Sequence, residues 1–166
     1  STNAQFPINL MTQLYSVPVG GGRVSMTLPV PAVNAVVDAS GSRILYEDVK
    51  GYEDQWRKHH TSSVTRDIWS YDTRSKQYAQ LSSFEGENRN PVFDGDGKSV
   101  YYLSEESGSF NVVRGAFGST SKPAAITHFS KNPVRFLSRA NNGTLCFTYD
   151  GEIYTLQLGG EISKLV

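Results

Sequence analysis

The densest group of side chains able to do chemistry in this sequence is Trp56-Arg57-Lys58-His59-His60, followed by Arg66. Glu47, Asp48, Glu53, Asp54 and Asp67 place acids around it, and Ser62 and Ser63 place hydroxyls. Three kinds of chemistry are open to such a group. A metal would need both imidazoles, but adjacent residues of a strand point to opposite faces, so His59-His60 does not form a ligand pair and no metal is expected. General-base catalysis would need a histidine within hydrogen-bond reach of a nucleophile and an orienting acid. The nearness of Ser62, Ser63 and Asp67 in sequence does not supply that geometry, so no catalytic residue is assigned. Recognition of a peptide or partner asks only for presented Trp and Arg, both favoured contact types. Trp56, Arg57, Lys58, His59, His60 and Arg66 are therefore the candidate binding residues. The competing reading is a structural loop that packs Trp56 and satisfies its own polar groups.

Four smaller motifs carry less. Asp94-Gly95-Asp96-Gly97 opens like a calcium loop, but Lys98 and Ser99 stand where further ligands and a glycine would be needed, so it reads as a turn. Gly20-Gly21-Gly22-Arg23 lacks the strand–loop–helix setting of a phosphate cradle, and no cofactor is implied. Asn142-Gly143-Thr144 matches a glycosylation acceptor, a short pattern that is common by chance. Cys146 is the only cysteine and sits in an apolar run, Leu145-Cys146-Phe147, so it reads as a small buried hydrophobe.

The elements that must position these residues are strands. Aromatic residues make up 11% of the chain, with 15 glycines, which suits short strands joined by tight turns. No long segment has apolar residues at helical spacing. The same grammar recurs three times. Asp38-Ala39-Ser40-Gly41 leads into Ile44-Leu45-Tyr46, Ile68-Trp69-Ser70-Tyr71-Asp72 and Leu81-Ser82-Ser83-Phe84. Asp94-Gly95-Asp96-Gly97 leads into Val100-Tyr101-Tyr102, Asn111-Val112-Val113 and Ile126-Thr127-His128-Phe129. Ala140-Asn141-Asn142-Gly143 leads into Leu145-Cys146-Phe147, Ile153-Tyr154-Thr155-Leu156 and Lys164-Leu165-Val166. Leu81 and Ile126 lie 45 residues apart, as do Val100 and Leu145. A period of about 40–45 residues with four short strands per unit is that of propeller blades. Asn-Pro pairs at 90–91 and 132–133 mark what reads as the same place in two copies, each proline opening a strand. Gln13–Gly21 matches Glu152–Gly160 without gaps, a strand running into a Gly-Gly hairpin turn.

The expected fold is therefore an all-β propeller of about three and a half four-stranded antiparallel blades. The half blade covers 10–30, and the blades cover about 31–86, 87–131 and 132–166, in one partial domain over 1–166. A β-sandwich would share the hairpins but rarely keeps a fixed period. Propellers usually close with four to eight blades, so the protein is expected to be part of a larger ring or to pair with another copy or partner, a possible oligomer. The loop between Tyr46 and Asp67 departs most from the repeat and lengthens its blade by about ten residues, a mark of functional or disordered loops.

Longer stretches resemble a known family. The blades look like tricorn-type and Tol-type propeller repeats. Lys50–Trp69, Leu14–Gly21, Asn132–Leu137 and Tyr149–Tyr154 are similar to segments of the N-terminal propeller of bacterial tricorn-like serine peptidases. That resemblance implies a non-catalytic module of a peptidase whose catalytic serine lies in a later core of the C-terminal-processing type. It implies a role in substrate access, peptide handling and assembly, with peptides or unfolded protein, the remaining blades and the peptidase core as partners. It also implies a periplasmic or otherwise exported setting, although the N-terminus has no signal-peptide pattern. The alternatives are a Tol-like periplasmic scaffold for a protein partner and a propeller enzyme built on His59-His60. Sixteen basic residues balance sixteen acidic ones, which gives no reason to expect nucleic acid, and no apolar run is long enough to span a membrane.

Overall fold

The computed structural model describes residues 11–52, 54, 56, 57, 59, 61–119 and 121–165. Lys58 and His60, both candidate binding residues, lie outside the described residues, as does Val166 of the expected last strand. Fourteen strands and no helix are present among those described. They form one two-stranded and three four-stranded antiparallel sheets, each made of consecutive strands.

Leu14–Ser16 (β1) pairs with Ser25–Leu28 (β2). Ala32–Val37 (β3), Arg43–Asp48 (β4), Ile68–Asp72 (β5) and Tyr78–Gln80 (β6) form the next sheet. Asn88–Phe93 (β7), Ser99–Ser104 (β8), Asn111–Ala116 (β9) and Ala124–Ala125 (β10) form the third. Arg135–Arg139 (β11), Leu145–Tyr149 (β12), Glu152–Leu156 (β13) and Ser163–Lys164 (β14) form the fourth.

Alternation along the strands explains how the sheets stack. In β8, Val100 and Tyr102 face the sheet before, packing with Leu45, Ile68 and Val113. Their neighbours Tyr101 and Leu103 face the sheet after, packing with Phe110, Val134, Leu145 and Phe147. A third core joins Leu28 of the two-stranded sheet to Ala32, Ile44, Tyr46 and Tyr71. Burial of a large apolar residue of this kind stabilises by roughly 1.5–3 kcal/mol. The sheets therefore stack face to face through one core per junction.

The repeat is also visible in hydrogen bonds. The amides of Leu81 and Ser82 both donate to the Ile68 carbonyl, and those of Ile126 and Thr127 both donate to Val112. The Ser82 and Thr127 hydroxyls accept from the Ile68 and Val112 amides in return. These shared bonds end the regular ladder. The closing strands therefore lie earlier than the apolar runs suggested, at Tyr78–Gln80 and Ala124–Ala125, while Leu81 and Ile126 turn inward against the cores.

The matched Gly-Gly segments turn alike, as expected: Gly21 donates to Pro18 and Gly160 to Gln157, and the turns join the paired strands β1 with β2 and β13 with β14. One further expectation changes, because the Asn-Pro pairs are not equivalent. Asn90-Pro91 lies within β7 at a shift in its register with β8, whereas Asn132-Pro133 precedes β11. Pro91 fits inside a strand because the irregular position asks for no ladder donor.

Each first strand carries that same irregularity. The register shifts between Val33 and Val36, between Arg89 and Val92, and between Arg135 and Ser138. At each bulge one non-glycine residue has positive φ: Asn34 at 48°, Asn90 at 50° and Phe136 at 55°. Asparagine tolerates this left-handed region. For phenylalanine it costs roughly 1–2 kcal/mol.

Candidate functional site

The connection from β4 to β5, residues 49–67, rises at the end of the stack where β3, β7 and β11 begin. Its base is pinned. Lys50 Nζ donates to Asp67 Oδ2 at 2.6 Å and to the Thr65 carbonyl at 2.8 Å, with Asp48 Oδ2 at 3.4 Å. The Asp67 amide donates to Asp48 Oδ1 at 2.7 Å. Thr65 Oγ1 reaches the carbonyls of Ser62 and Glu85. Burial raises the Asp48 carboxyl above its ordinary range, a push that the Asp67 amide and Lys50 only partly offset. Burial also opposes the Lys50 charge, yet Asp67 and Asp48 together hold its ammonium above the usual range.

Glu47, at the end of β4, ties the loop to two bulges. It is fully buried. Its Oε1 accepts from Asn34 Nδ2 and from the Asn90 amide, each at 2.7 Å, and its Oε2 accepts from Arg66 Nη1 at 2.8 Å. One carboxylate thus holds the bulge of its own sheet, the bulge of the next, and the loop. The equivalent ladder positions hold Leu103 and Thr148, so this hub occurs at one junction. Beside it, Arg89 Nε donates to the buried Glu87 at 2.8 Å.

The far side of the loop crosses toward the fourth sheet. The His59 amide donates to Glu105 Oε1 at 2.9 Å, with His59 itself at a positive φ of 53°. His59, Thr61, Phe84, Glu105, Glu106 and Gly108 line a small cavity of about 220 Å³ beneath it. Trp56 meets Phe136 edge to face, ring centroids 6.3 Å apart. The Arg135 guanidinium lies 5.0 Å from the Trp56 ring and 5.4 Å from that of Phe110. Burial depresses this guanidinium and the nearby Arg89 charge adds to the effect, while Glu105 and Glu87 pull the other way. Trp56 is 57% exposed and Phe136 is 61% exposed.

Of the candidate residues, the structure brings Trp56, His59 and Arg66 into this loop network, each on a different partner. Arg57 is exposed, and its amide donates to the Asp54 carbonyl. The structure adds Glu105, Arg135 and Phe136, which motif reading missed, and singles out Glu47 from the acids around the loop. The signal available for Phe136 was its alignment with Asn34 and Asn90, which the misplaced Asn-Pro equivalence hid. Asp67, the acid weighed for a catalytic set, is committed to Lys50 and to the Ser82 hydroxyl at 2.8 Å. Among the described residues no three His, Cys, Asp or Glu side chains converge on a metal position.

The opposite end of the stack carries the three turns. Asp38 accepts from the Ser42 and Arg43 amides and from two serine hydroxyls. Asp96 accepts from the Lys98 and Ser99 amides, and Arg114 bridges Asp94 and Asp96 at 2.8 and 2.9 Å. These carboxylates hold their turns together through backbone amides, serine hydroxyls and, for Asp94 and Asp96, the Arg114 guanidinium. A cleft of about 530 Å³ runs between the turns, lined by Val37, Arg43, Phe93, Asp94 and Arg139 among others.

No protein-family model matches the sequence, and no curated protein matches it either. Solved structures do match its shape. The putative TolB from Agrobacterium tumefaciens is similar over 93% of this chain and 56% of that one, at 21% identity and a TM-score of 0.73. For TolB from Acinetobacter baumannii the shares are 93% and 38%, at 14% identity and a TM-score of 0.69. For a Mycobacterium tuberculosis puromycin-hydrolyzing peptidase they are 93% and 27%, at 16% identity and a TM-score of 0.59. The protein spans little more than half of the first of these and less of the others. No helix among the described residues is long and apolar enough to cross a membrane. With stacked four-stranded antiparallel sheets and these neighbours, the fold is a β-propeller fold.

Proposed function

We propose that this protein is a non-catalytic propeller module that receives extended peptide or unfolded protein segments at the exposed Trp56–Phe136 pair. The observation that carries the reading is the backbone of Phe136. An aromatic residue occupies a left-handed bulge position where asparagine stands in the two preceding sheets. Burial does not repay the strain, because the ring is mostly exposed. Strain kept at an exposed position argues for a use, and exposed Trp, Phe and Arg are the side chains that anchor contacts.

The parent we propose is a tricorn-like serine peptidase, exported, in which this piece forms part of a larger ring. The repeat pattern and the resemblance of the Lys50–Trp69 stretch support it, and one structural neighbour is itself named a peptidase. The blades we propose as units are about 31–86, 87–131 and 132–166, preceded by the half blade. A second reading, a Tol-like scaffold for a folded protein partner, is favoured by the two TolB neighbours.

Fluorescence anisotropy of labelled, unfolded casein separates them. The first reading expects saturable binding, weakened about 30-fold by Trp56→Ala, the loss of an anchor worth about 2 kcal/mol. Absence of saturable binding, or binding indifferent to Trp56→Ala, overturns it. A stable complex with one folded protein in a pull-down, without casein binding, favours the scaffold.

A further inference from the structure

An aromatic seat of the fourth sheet has an open counterpart in the second, apart from the Trp56–Phe136 pair. Strand register makes Tyr46, Asp48 and Trp69 the counterparts of Phe147, Tyr149 and Tyr154. In the fourth sheet those rings hold Phe129, which stacks on Tyr149 with centroids 3.9 Å apart and meets Phe147 at 6.2 Å and Tyr154 at 6.4 Å. Phe129 comes from the link that enters that sheet. The link entering the second sheet is shorter: five residues separate Leu28 from the bulge at Asn34, against nine between Ile126 and Phe136. It supplies Val30 and Pro31 and no aromatic residue. A cavity of about 310 Å³ remains, lined by Val30, Pro31, Tyr46, Val49, Trp69 and Tyr78, at the lower end of the size range of small-ligand sites. Asp48 and Lys50 also line it, but they are engaged with Asp67 and with each other, so among the described residues no unpaired charge there selects an ion. The indole N–H of Trp69 is buried and has no acceptor among the described residues.

We infer that this cavity receives an aromatic side chain of another polypeptide, its ring lying against Tyr46 and Trp69 as Phe129 lies against Phe147 and Tyr154, with a main-chain carbonyl beside it accepting from Trp69 Nε1. Rings gain from ring neighbours beyond the area they bury, and a buried donor without a partner gains from an acceptor that arrives with the ligand.

Trp69 fluorescence reads the cavity directly. The chain has two tryptophans, so Trp56→Ala in the whole protein leaves Trp69 as the only one and removes the anchor of the other proposed site. In that variant, acetylated and amidated Gly-Phe-Gly shifts the Trp69 emission saturably and binds about fivefold tighter than the matching Gly-Leu-Gly. Phenol, a free ring without the carbonyl, binds at least about fivefold more weakly than the phenylalanine peptide. Val30→Phe fills the cavity from the link itself, so it weakens that peptide at least about tenfold without lowering the melting temperature. Tyr78→Ala, which removes one wall, weakens it about fivefold. Equal affinity for the phenylalanine and leucine peptides overturns the proposal, as does phenol binding as tightly as the peptide. Undiminished peptide binding to folded Val30→Phe and Tyr78→Ala places the ring elsewhere and overturns it too. Binding gained only when Phe6→Ala is added gives the cavity to the chain's own N-terminal segment, against a foreign ligand. No response to any peptide in either background overturns the proposal, and leaves casein binding by the unmodified protein to be decided by its own titration.

Discussion

At the scale of single residues, two side chains carry opposite burdens. Glu47 is a fully buried carboxylate whose oxygens are filled by Asn34, Asn90 and Arg66. Removing one partner of a buried pair leaves the other charge uncompensated, so Glu47→Ala is expected to destabilise by about 3–5 kcal/mol in urea unfolding. Glu47→Gln keeps acceptors for Asn34 and Asn90 and should cost less. A cost near zero for Glu47→Ala would remove the hub from the description. Phe136 is the reverse case, since its strain works against stability and its ring is mostly in water. Glu47 was legible in the sequence only as one acid among several near the loop. Neither a strand register nor a bulge can be read from acid content, and its partners lie 13, 19 and 43 positions away.

At the scale of elements, the turns and middle strands were the most legible parts. Val100-Tyr101-Tyr102 and Ile68–Asp72 are strands as their composition requires. The first and last strands of each sheet were less so. β3, β7 and β11 are bulged, and β7 and β11 carry Arg89, Pro91 and Arg135 inside them, which breaks the alternation that marks a strand. The closing strands are only two or three residues long, so the apolar residues that follow them drew the boundary too late. The turns make a pH-dependent prediction. At Asp38 and Asp96 burial opposes the charge, but bonds from backbone amides and serine hydroxyls outweigh it and hold both carboxyls below their ordinary value of 3.8. A depressed carboxyl stabilises the fold above the unfolded value, and that stability is lost as pH falls through the folded one. Thermal unfolding followed from about pH 6 to about pH 2.5 should therefore show a drop in melting temperature starting near pH ~4. Asp38→Asn should flatten part of that drop. An identical acid limb in the variant would show that the turn bonds are irrelevant to it.

At the scale of the whole molecule, the stack has a centre. Every residue of β8 is buried, because sheets cover both its faces and strands cover both its edges. The outer strands β6, β10 and β14 are exposed throughout. Hydrogen exchange should therefore be slowest at the amides of Ser99–Ser104 and fastest at the outer strands. Slowest exchange in β12 or β4 instead would mean that the end junctions outweigh the middle one. The architecture was legible because a period of 45 residues with strand-forming segments admits few folds. The proposed site was legible as a loop that broke the period, and Trp56 and Arg66 fell within that loop. Its other half was hidden, because Arg135 and Phe136 come from a strand far along the sequence and meet the loop only once the sheets stack.

The proposal that strain at Phe136 is retained for binding separates stability from binding under one substitution. Phe136→Asn restores the residue that the two other bulges use, relieving about 1–2 kcal/mol of backbone strain against a lost ring contact of about 0.5–1.5 kcal/mol. Measured together, melting temperature and casein affinity should show a variant melting between about 2 degrees below the parent and a few degrees above it. Its affinity should be at least about tenfold weaker. A variant that melts several degrees lower and binds casein as the parent does would contradict the assignment and make Phe136 an ordinary packing residue.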